Sequence, residues 1–217
     1  MLYSIMRFLS RWVLRFAFRM KVTSSVNIPS EGPLVLAANH ESNLDGFVLV
    51  SAFTNRRLTF LSASYLFDEL IIGTFLRVMG ALPVKKQGTN VGSLKKAIAI
   101  LEEGGTVAVF PEGGIVGSEI LGGAVYLALK ANAPILPLHI AGTERALPPG
   151  RRLPSLCPIE VSIGSPFHPS GPEGANAGVK ESVSEGRKVL ERVLAEMCSS
   201  RTCDEGVPME QVSGEVS

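Results

Sequence analysis

The sequence predicts an α/β fold, with a largely parallel central sheet, helices on both faces and an amphipathic helix in front. Three observations predict it. Short, nearly unbroken apolar runs at 34–38, 106–110 and 133–141 alternate with longer segments of helical period. Strands apolar on both sides of the pleat belong to sheets covered on both faces, and alternation of strand with helix belongs to parallel sheets. The chain has 217 residues, 46% of them hydrophobic, enough for one sizeable domain with its own core.

Residues 1–21 read as a helix in which Arg7, Arg11, Arg15 and Arg19 recur every fourth position, with no acid among them. At about 100° per residue the four fall within an arc of about 120°. Most of the remainder is Phe, Leu, Trp, Val, Ile and Met, the pattern of a helix lying in a membrane interface. Arginine interrupts the apolar run too often for a spanning helix. Packing on the protein's own core and a mitochondrial transit peptide are the rival readings.

A loop with a short possible strand covers 22–33, and 34–38 is a buried strand. Helix is expected at 44–53, strand at 57–63 and a long apolar helix at 66–78. The segment 80–84 leads to Lys85-Lys86-Gln87. Residues 90–103 have Leu94, Ala97, Ile98 and Leu101 at helical spacing, and Gly104-Gly105 stops them. Strand follows at 106–110, helix at 121–131, strand at 133–141, a Pro- and Arg-rich loop at 142–158 and a last strand at 159–163. Residues 166–177 read as loop and 179–197 as an amphipathic helix. The last stretch sets Arg201 against Asp204, Glu205, Glu210 and Glu215 and has little to bury. The expected organisation is an amphipathic membrane-associating helix over 1–21, a domain over 22–198 and a disordered acidic tail over 199–217.

A net charge of +1 excludes general steering toward nucleic acid, although mean hydropathy is high at +0.26. Cys157, Cys198 and Cys203 lack zinc or redox spacing, and an odd count fits a reducing compartment.

Chemistry concentrates in Asn39-His40-Glu41-Ser42-Asn43-Leu44-Asp45, at the end of a strand and the start of a helix. Histidine is the usual general base near neutral pH, and a nearby acid can hold its second ring nitrogen. No Ser or Cys is needed where the substrate's own hydroxyl is the nucleophile. The second segment, Phe110-Pro111-Glu112-Gly113-Gly114, also follows a strand. Its glycines let a ligand approach the backbone, and ligands gather at strand carboxyl ends in such sheets. If the two strands are neighbours, His40, Asp45, Glu112 and both glycines face one crevice; an ordinary strand-to-helix turn is the plainer reading of the second segment. His139 reads as a core histidine and His168 as a loop residue.

These motifs resemble the glycerolipid acyltransferase superfamily, in its 1-acylglycerol-3-phosphate acyltransferase type. The first signature, Asn-His, four residues and Asp, is met by residues 39–45, and the third, Phe-Pro-Glu-Gly, by 110–113. The second is matched by Gly80-Ala81-Leu82-Pro83-Val84-Lys85-Lys86 and the fourth by Ala133-Pro134-Ile135-Leu136-Pro137-Leu138. The resemblance covers about 34–167. It implies that His40 is the base on an acceptor hydroxyl and that Asp45 orients it. The hydroxyl attacks an acyl thioester carried by acyl-CoA or acyl carrier protein, with no other cofactor and no metal. Backbone N–H groups around Gly113, with Glu112 and Gly114, would serve the oxyanion and the substrate. Lys85 or Lys86 would meet the phosphate of a lysophospholipid, most simply 1-acylglycerol-3-phosphate; for the lysines a solvated loop is the plainer reading. The implied location is peripheral, on the cytoplasmic face of a membrane, in phospholipid biosynthesis. One departure stands out: the family often continues with Thr-Arg-Ser, whereas here Gly114-Ile115-Val116-Gly117-Ser118 has no base. That leaves open a different lysolipid or a neutral hydroxyl as acceptor. A hydrolase with water at the acceptor's place, and a lipid-binding protein without turnover, are the other readings.

Overall fold

The computed structural model describes residues 1–24, 28–53, 56–85, 90–115, 120–151, 153–169 and 178–202. Helix α1 (Leu2–Phe16) leads into strand β1 (Lys21–Ser24). Then come β2 (Leu34–Ala38), α2 (Asp45–Ala52), β3 (Leu58–Ala63), α3 (Leu70–Met79) and β4 (Leu82–Val84). Next are α4 (Val91–Glu102), β5 (Thr106–Val109), α5 (Gly123–Lys130) and β6 (Ile135–Ala141). Short helix α6 (Thr143–Ala146), β7 (Glu160–Ile163) and α7 (Val179–Thr202) complete the described chain.

The strands form one seven-stranded sheet in the order β1-β7-β6-β2-β5-β3-β4. Every described pairing is parallel except β6 with β7. Strand β2 is central, with β5 on one side and β6 on the other. Its pleat divides the core. Leu34, Leu36 and Ala38 face a cluster that includes Leu14 of α1, Val48 of α2 and Phe75 of α3. Val35 and Ala37 face Leu101 of α4, Val125 of α5 and Leu190 of α7. Residues of β2 are buried whichever way they point, which is why the run reads as unbroken rather than alternating.

The long apolar segment at 66–78 is two elements rather than one helix. A 3-10 turn spans Ser64–Asp68, and Glu69 is extended, with φ −72° and ψ 137°, before α3 begins. Gly80 ends α3 in the left-handed region at φ 67°, and the N–H of Ala81 returns to the Leu76 carbonyl at 2.9 Å. The expected helix at 1–21 stops at Phe16, and α7 continues four residues past position 198. The rest of the expected tail, with Cys203, lies outside the described residues.

Arg56 fastens the approach to β2. Its buried guanidinium donates to the carbonyls of Pro29 at 2.9 Å, Glu31 at 3.2 Å and Gly104 at 3.0 Å, and to that of Gly32. Three of those acceptors belong to the loop that feeds β2; the fourth follows α4. The arginine thereby sets the height at which β2 and β5 enter the sheet side by side.

Helix α1 packs with one face only. Leu14 is 1% exposed, and Tyr3 and Met6 lie against the same core cluster. The Tyr3 hydroxyl accepts the N–H of Leu58 at 3.0 Å. Ile5, Phe8, Leu9, Trp12, Val13 and Phe16 remain exposed. At about 100° per residue those six share an arc of about 140°. The core-packing reading therefore holds for one face of the helix, and the face expected at a membrane interface is the one left exposed.

Candidate active site

The neighbouring parallel strands β2 and β5 run in register from Leu34↔Thr106 to Ala37↔Val109 and release their chains at the same edge of the sheet. This meets the condition for a common crevice. The main-chain N–H of His40, just beyond β2, donates to Glu112 Oε2 beyond β5 at 3.0 Å. The His40 ring stacks on Phe110, with centroids 4.0 Å apart and planes 14° apart. His40 Nδ1 lies 2.9 Å from Asp45 Oδ2, which leaves Nε2 for a ligand.

Asp45 occupies the first turn of α2, where an acid suits the helix dipole. Its Oδ2 also accepts the N–H groups of Glu41 and Ser42, each at 2.8 Å. Three donors on one oxygen fix the carboxylate and the loop that carries His40 together. Its Oδ1 is buried and has no partner among the described residues.

Two side chains, Asn39 before His40 and Ser42 after it, tie the loop to β6 and beyond. Asn39 mimics a strand neighbour: its Nδ2 donates to Ile140 O at 2.8 Å, and its Oδ1 accepts the Ile140 N–H at 2.7 Å. Ser42 Oγ donates to Leu147 O at 2.7 Å and accepts the N–H of Leu44 at 3.2 Å.

Burial pushes the Glu112 carboxyl above the usual carboxylate range, against the opposing pull of the His40 N–H. Glu41 is likewise raised, first by burial and further by Glu144 and Asp45, while the Asn39 amide opposes the rise. The crevice is thus lined by acids on both sides of the imidazole.

Gly113 has φ +70°, and a Cβ there would sit 2.6 Å from Leu121 Cδ1. The backbone conformation favours glycine, whereas the leucine tip could move aside. Its N–H is committed to the Phe110 carbonyl at 3.1 Å, so it closes the turn rather than facing the crevice. Gly114 N–H has no backbone acceptor among the described residues. Lys85 directly follows β4, which is separated from β2 by β3 and β5, and its main chain is bracketed by the Asn90 amide at 2.8 and 2.9 Å. The structure does not bring it to His40; Lys86 lies outside the described residues. His139 is buried in β6 and His168 is exposed in a loop.

Sequence reasoning missed three contributors. Phe110 had a signal, since it belongs to the Phe-Pro-Glu-Gly run, but its stacking on His40 needs the strand pairing to be known. Asn39 and Ser42 act on residues more than a hundred positions away, which no local pattern announces.

A family model described as Acyltransferase matches residues 19–141. The chain is 28% identical over 151 residues to the 1-acyl-sn-glycerol-3-phosphate acyltransferase of Bacillus subtilis, covering 69% of this chain and 74% of that one. It is 30% identical over 162 residues to a chloroplastic 1-acyl-sn-glycerol-3-phosphate acyltransferase of Arabidopsis thaliana, covering 70% of this chain but 45% of the longer relative. The fold is similar to the crystal structure of the 1-acyl-sn-glycerophosphate (LPA) acyltransferase of Thermotoga maritima, with a TM-score of 0.65 and 22% identity over 90% of this chain and 79% of that one. With the matched model spanning more than half its length and both signatures meeting in one crevice, the chain belongs to the acyltransferase family, among the glycerolipid O-acyltransferases of the 1-acylglycerol-3-phosphate type.

Proposed function

We propose that the protein transfers a fatty acyl group from acyl-CoA or acyl carrier protein to a hydroxyl of a lysophospholipid, with 1-acylglycerol-3-phosphate as the acceptor to which its relatives' names point. The observation that carries this reading is the 2.9 Å His40–Asp45 contact, aimed by Glu112 from the adjacent strand. His40 Nε2 takes the proton of the acceptor hydroxyl as its oxygen attacks the thioester carbonyl. Asp45 holds Nδ1 and stabilises the imidazolium. The tetrahedral oxyanion is met by backbone donors beyond Gly113, the Gly114 N–H among them; such a donor is worth about 3–4 kcal/mol. Collapse breaks the C–S bond, and His40 returns its proton to the leaving thiolate.

A phosphate contact by Lys85, which the resemblance implies together with Lys86, needs an acceptor that reaches from His40 past β5 and β3. A second reading of the acceptor has its own support, because no Lys or Arg occurs from Pro111 to Leu129. Under that reading the acceptor lacks a phosphomonoester. The protein works as a peripheral enzyme on the cytoplasmic face of a membrane: the exposed apolar face of α1 supports the attachment, and no described helix is long and apolar enough to cross.

The test is an assay of purified protein with labelled acyl-CoA and acyl carrier protein donors against a panel of lysolipid and neutral acceptors, read by product chromatography. His40→Ala should lower turnover by at least about 10²-fold with the fold intact. Full residual activity would sink the mechanism, and thioester consumption without acylated lipid would sink the transferase reading.

A further inference from the structure

A second cleft lies where α1, β1 and the end of α2 meet. It encloses about 630 Å³ and is lined by Arg11, Arg15, Arg19, Lys21, Thr23 and Ser51, among others. Helix α2 begins beside His40 and ends in this wall, and its eight residues span about 12 Å, so the cleft is separate from the crevice. No acid precedes Glu31 in the chain. Across the β1–β7 pairing Glu160 stands opposite Lys21. None of the three arginines forms an ion pair among the described residues.

A cation near the C-terminal end of α2 would offset its dipole. One charge suffices for that, and four are present. Arg19 in addition holds φ 46°, in the left-handed region, at the kind of position after a helix where glycine or asparagine is usual. A side chain kept where its absence would relax the backbone has a use of its own.

The aromatic strip beside the cleft identifies the occupant. Trp12 lies 4.6 Å from Phe16 and 5.9 Å from Phe8 between ring centroids, and all three are exposed. On the helical wheel Arg11 and Arg15 border that strip directly, so phosphate-binding and acyl-binding chemistry adjoin on one helix. We propose that the cleft holds the phosphate of an anionic membrane phospholipid, whose chains lie along Phe8, Trp12 and Phe16, and that membrane attachment is thereby selective for anionic surfaces.

The test is co-sedimentation of the full chain with phosphatidylcholine vesicles, with and without phosphatidylglycerol as a minority lipid. Each cation contributes about fivefold near such a surface. Arg11→Gln/Arg15→Gln should weaken partition into the anionic vesicles by about 25-fold, leaving neutral-vesicle partition and the thermal midpoint unchanged. Arg19→Gly removes a charge while relieving the backbone, so it should bind about fivefold less tightly with an equal or higher midpoint. Equal losses on both vesicle types, or no loss, would overturn the proposal. So would displacement by inorganic phosphate at constant ionic strength, which marks a site for free phosphate. Unchanged vesicle binding with weakened binding of acyl carrier protein would assign the cleft to an acidic protein instead. None of these readouts depends on acyl transfer.

Discussion

Replacing Asn39 by alanine should destabilise the domain by about 2–6 kcal/mol. The estimate follows from the two hydrogen bonds to Ile140, at 2.8 and 2.7 Å, both buried. Truncation leaves a buried carbonyl and a buried N–H without partners, and each such group costs about 1–3 kcal/mol. In a chain of this size each kcal/mol moves the thermal midpoint by about 2–4 °C, so the midpoint should fall by roughly 4–24 °C. Asn39→Asp sharpens the test. As a carboxylate it accepts the Ile140 N–H but presents a second acceptor to the Ile140 carbonyl. Protonated, it donates to that carbonyl and restores both bonds. Burial and the carbonyl raise its folded pKa above the unfolded value, so the native variant binds the extra proton. Its stability therefore falls as pH rises through that window and recovers as pH drops. Urea denaturation of both variants and the parent, at mildly acid and mildly alkaline pH, measures this. The reasoning is refuted if Asn39→Ala lies within about 0.5 kcal/mol of the parent, the range of an unremarkable surface change. It is equally refuted if the Asp variant's deficit relative to the parent is the same at both pH values.

Asp45→Asn should lower turnover by about 10²–10⁴-fold with the loop retained, since the remaining oxygen can still accept the Glu41 and Ser42 N–H groups. Activity within tenfold of the parent, measured in steady-state assays across pH, would remove Asp45 from the mechanism. For Glu41 the folded pKa is raised, chiefly by burial, so the native state binds protons more tightly and this residue's contribution to stability declines as pH rises through the window above 4.5. Glu41→Gln should accordingly raise the thermal midpoint at mildly alkaline pH and lose that advantage below the unfolded pKa; calorimetry showing a pH-independent shift would contradict it. Deleting 1–21 should yield aggregated or unfolded protein rather than a soluble, detached enzyme, because Leu14, Phe18 and Met20 are core residues. Trp12→Ser/Phe16→Ser should detach the folded protein from vesicles at an unchanged midpoint. A well-folded deletion variant would show that α1 is not part of the core.

The two signature segments were legible because they set uncommon residue types at fixed spacing, and because each follows a strand buried on both faces. The sheet's centre was legible for the same reason. Its edges were not: β4 has three residues, one of them proline, and β1 has four, all exposed, so neither builds a periodic signal. The break before α3 was hidden because every residue around it is compatible with helix; Glu69 turns extended only in the tertiary context. Arg56 was invisible for a different reason. It pairs with main-chain carbonyls 24 to 48 positions away, and a carbonyl carries no residue identity to read. Gly113 was expected to offer its N–H to an oxyanion. The structure instead commits that N–H to the turn, which the positive φ of the glycine makes possible.

Helix α1 shows why composition alone could not separate core packing from membrane contact. Its apolar residues form two faces, and arginines border one of them. Burying Leu14, Phe18 and Met20 contributes about 1.5–3 kcal/mol each, a sum comparable to the net stability of a whole domain. The outward face, with Leu9, Trp12, Val13 and Phe16 more than half exposed, returns nothing while it faces water. A helix built only to complete the core would carry polar residues there, as amphipathic surface helices do. A helix built only to float at a membrane would have no use for Leu14 against the sheet's core or for a Tyr3 hydroxyl on the first residue of β3. The segment meets the first demand and leaves its outward apolar face free for the second. Whatever surface takes up the outward face is therefore held rigidly against α2, whose first turn carries Asp45, so the orientation of the candidate crevice toward that surface is set by packing rather than by a linker.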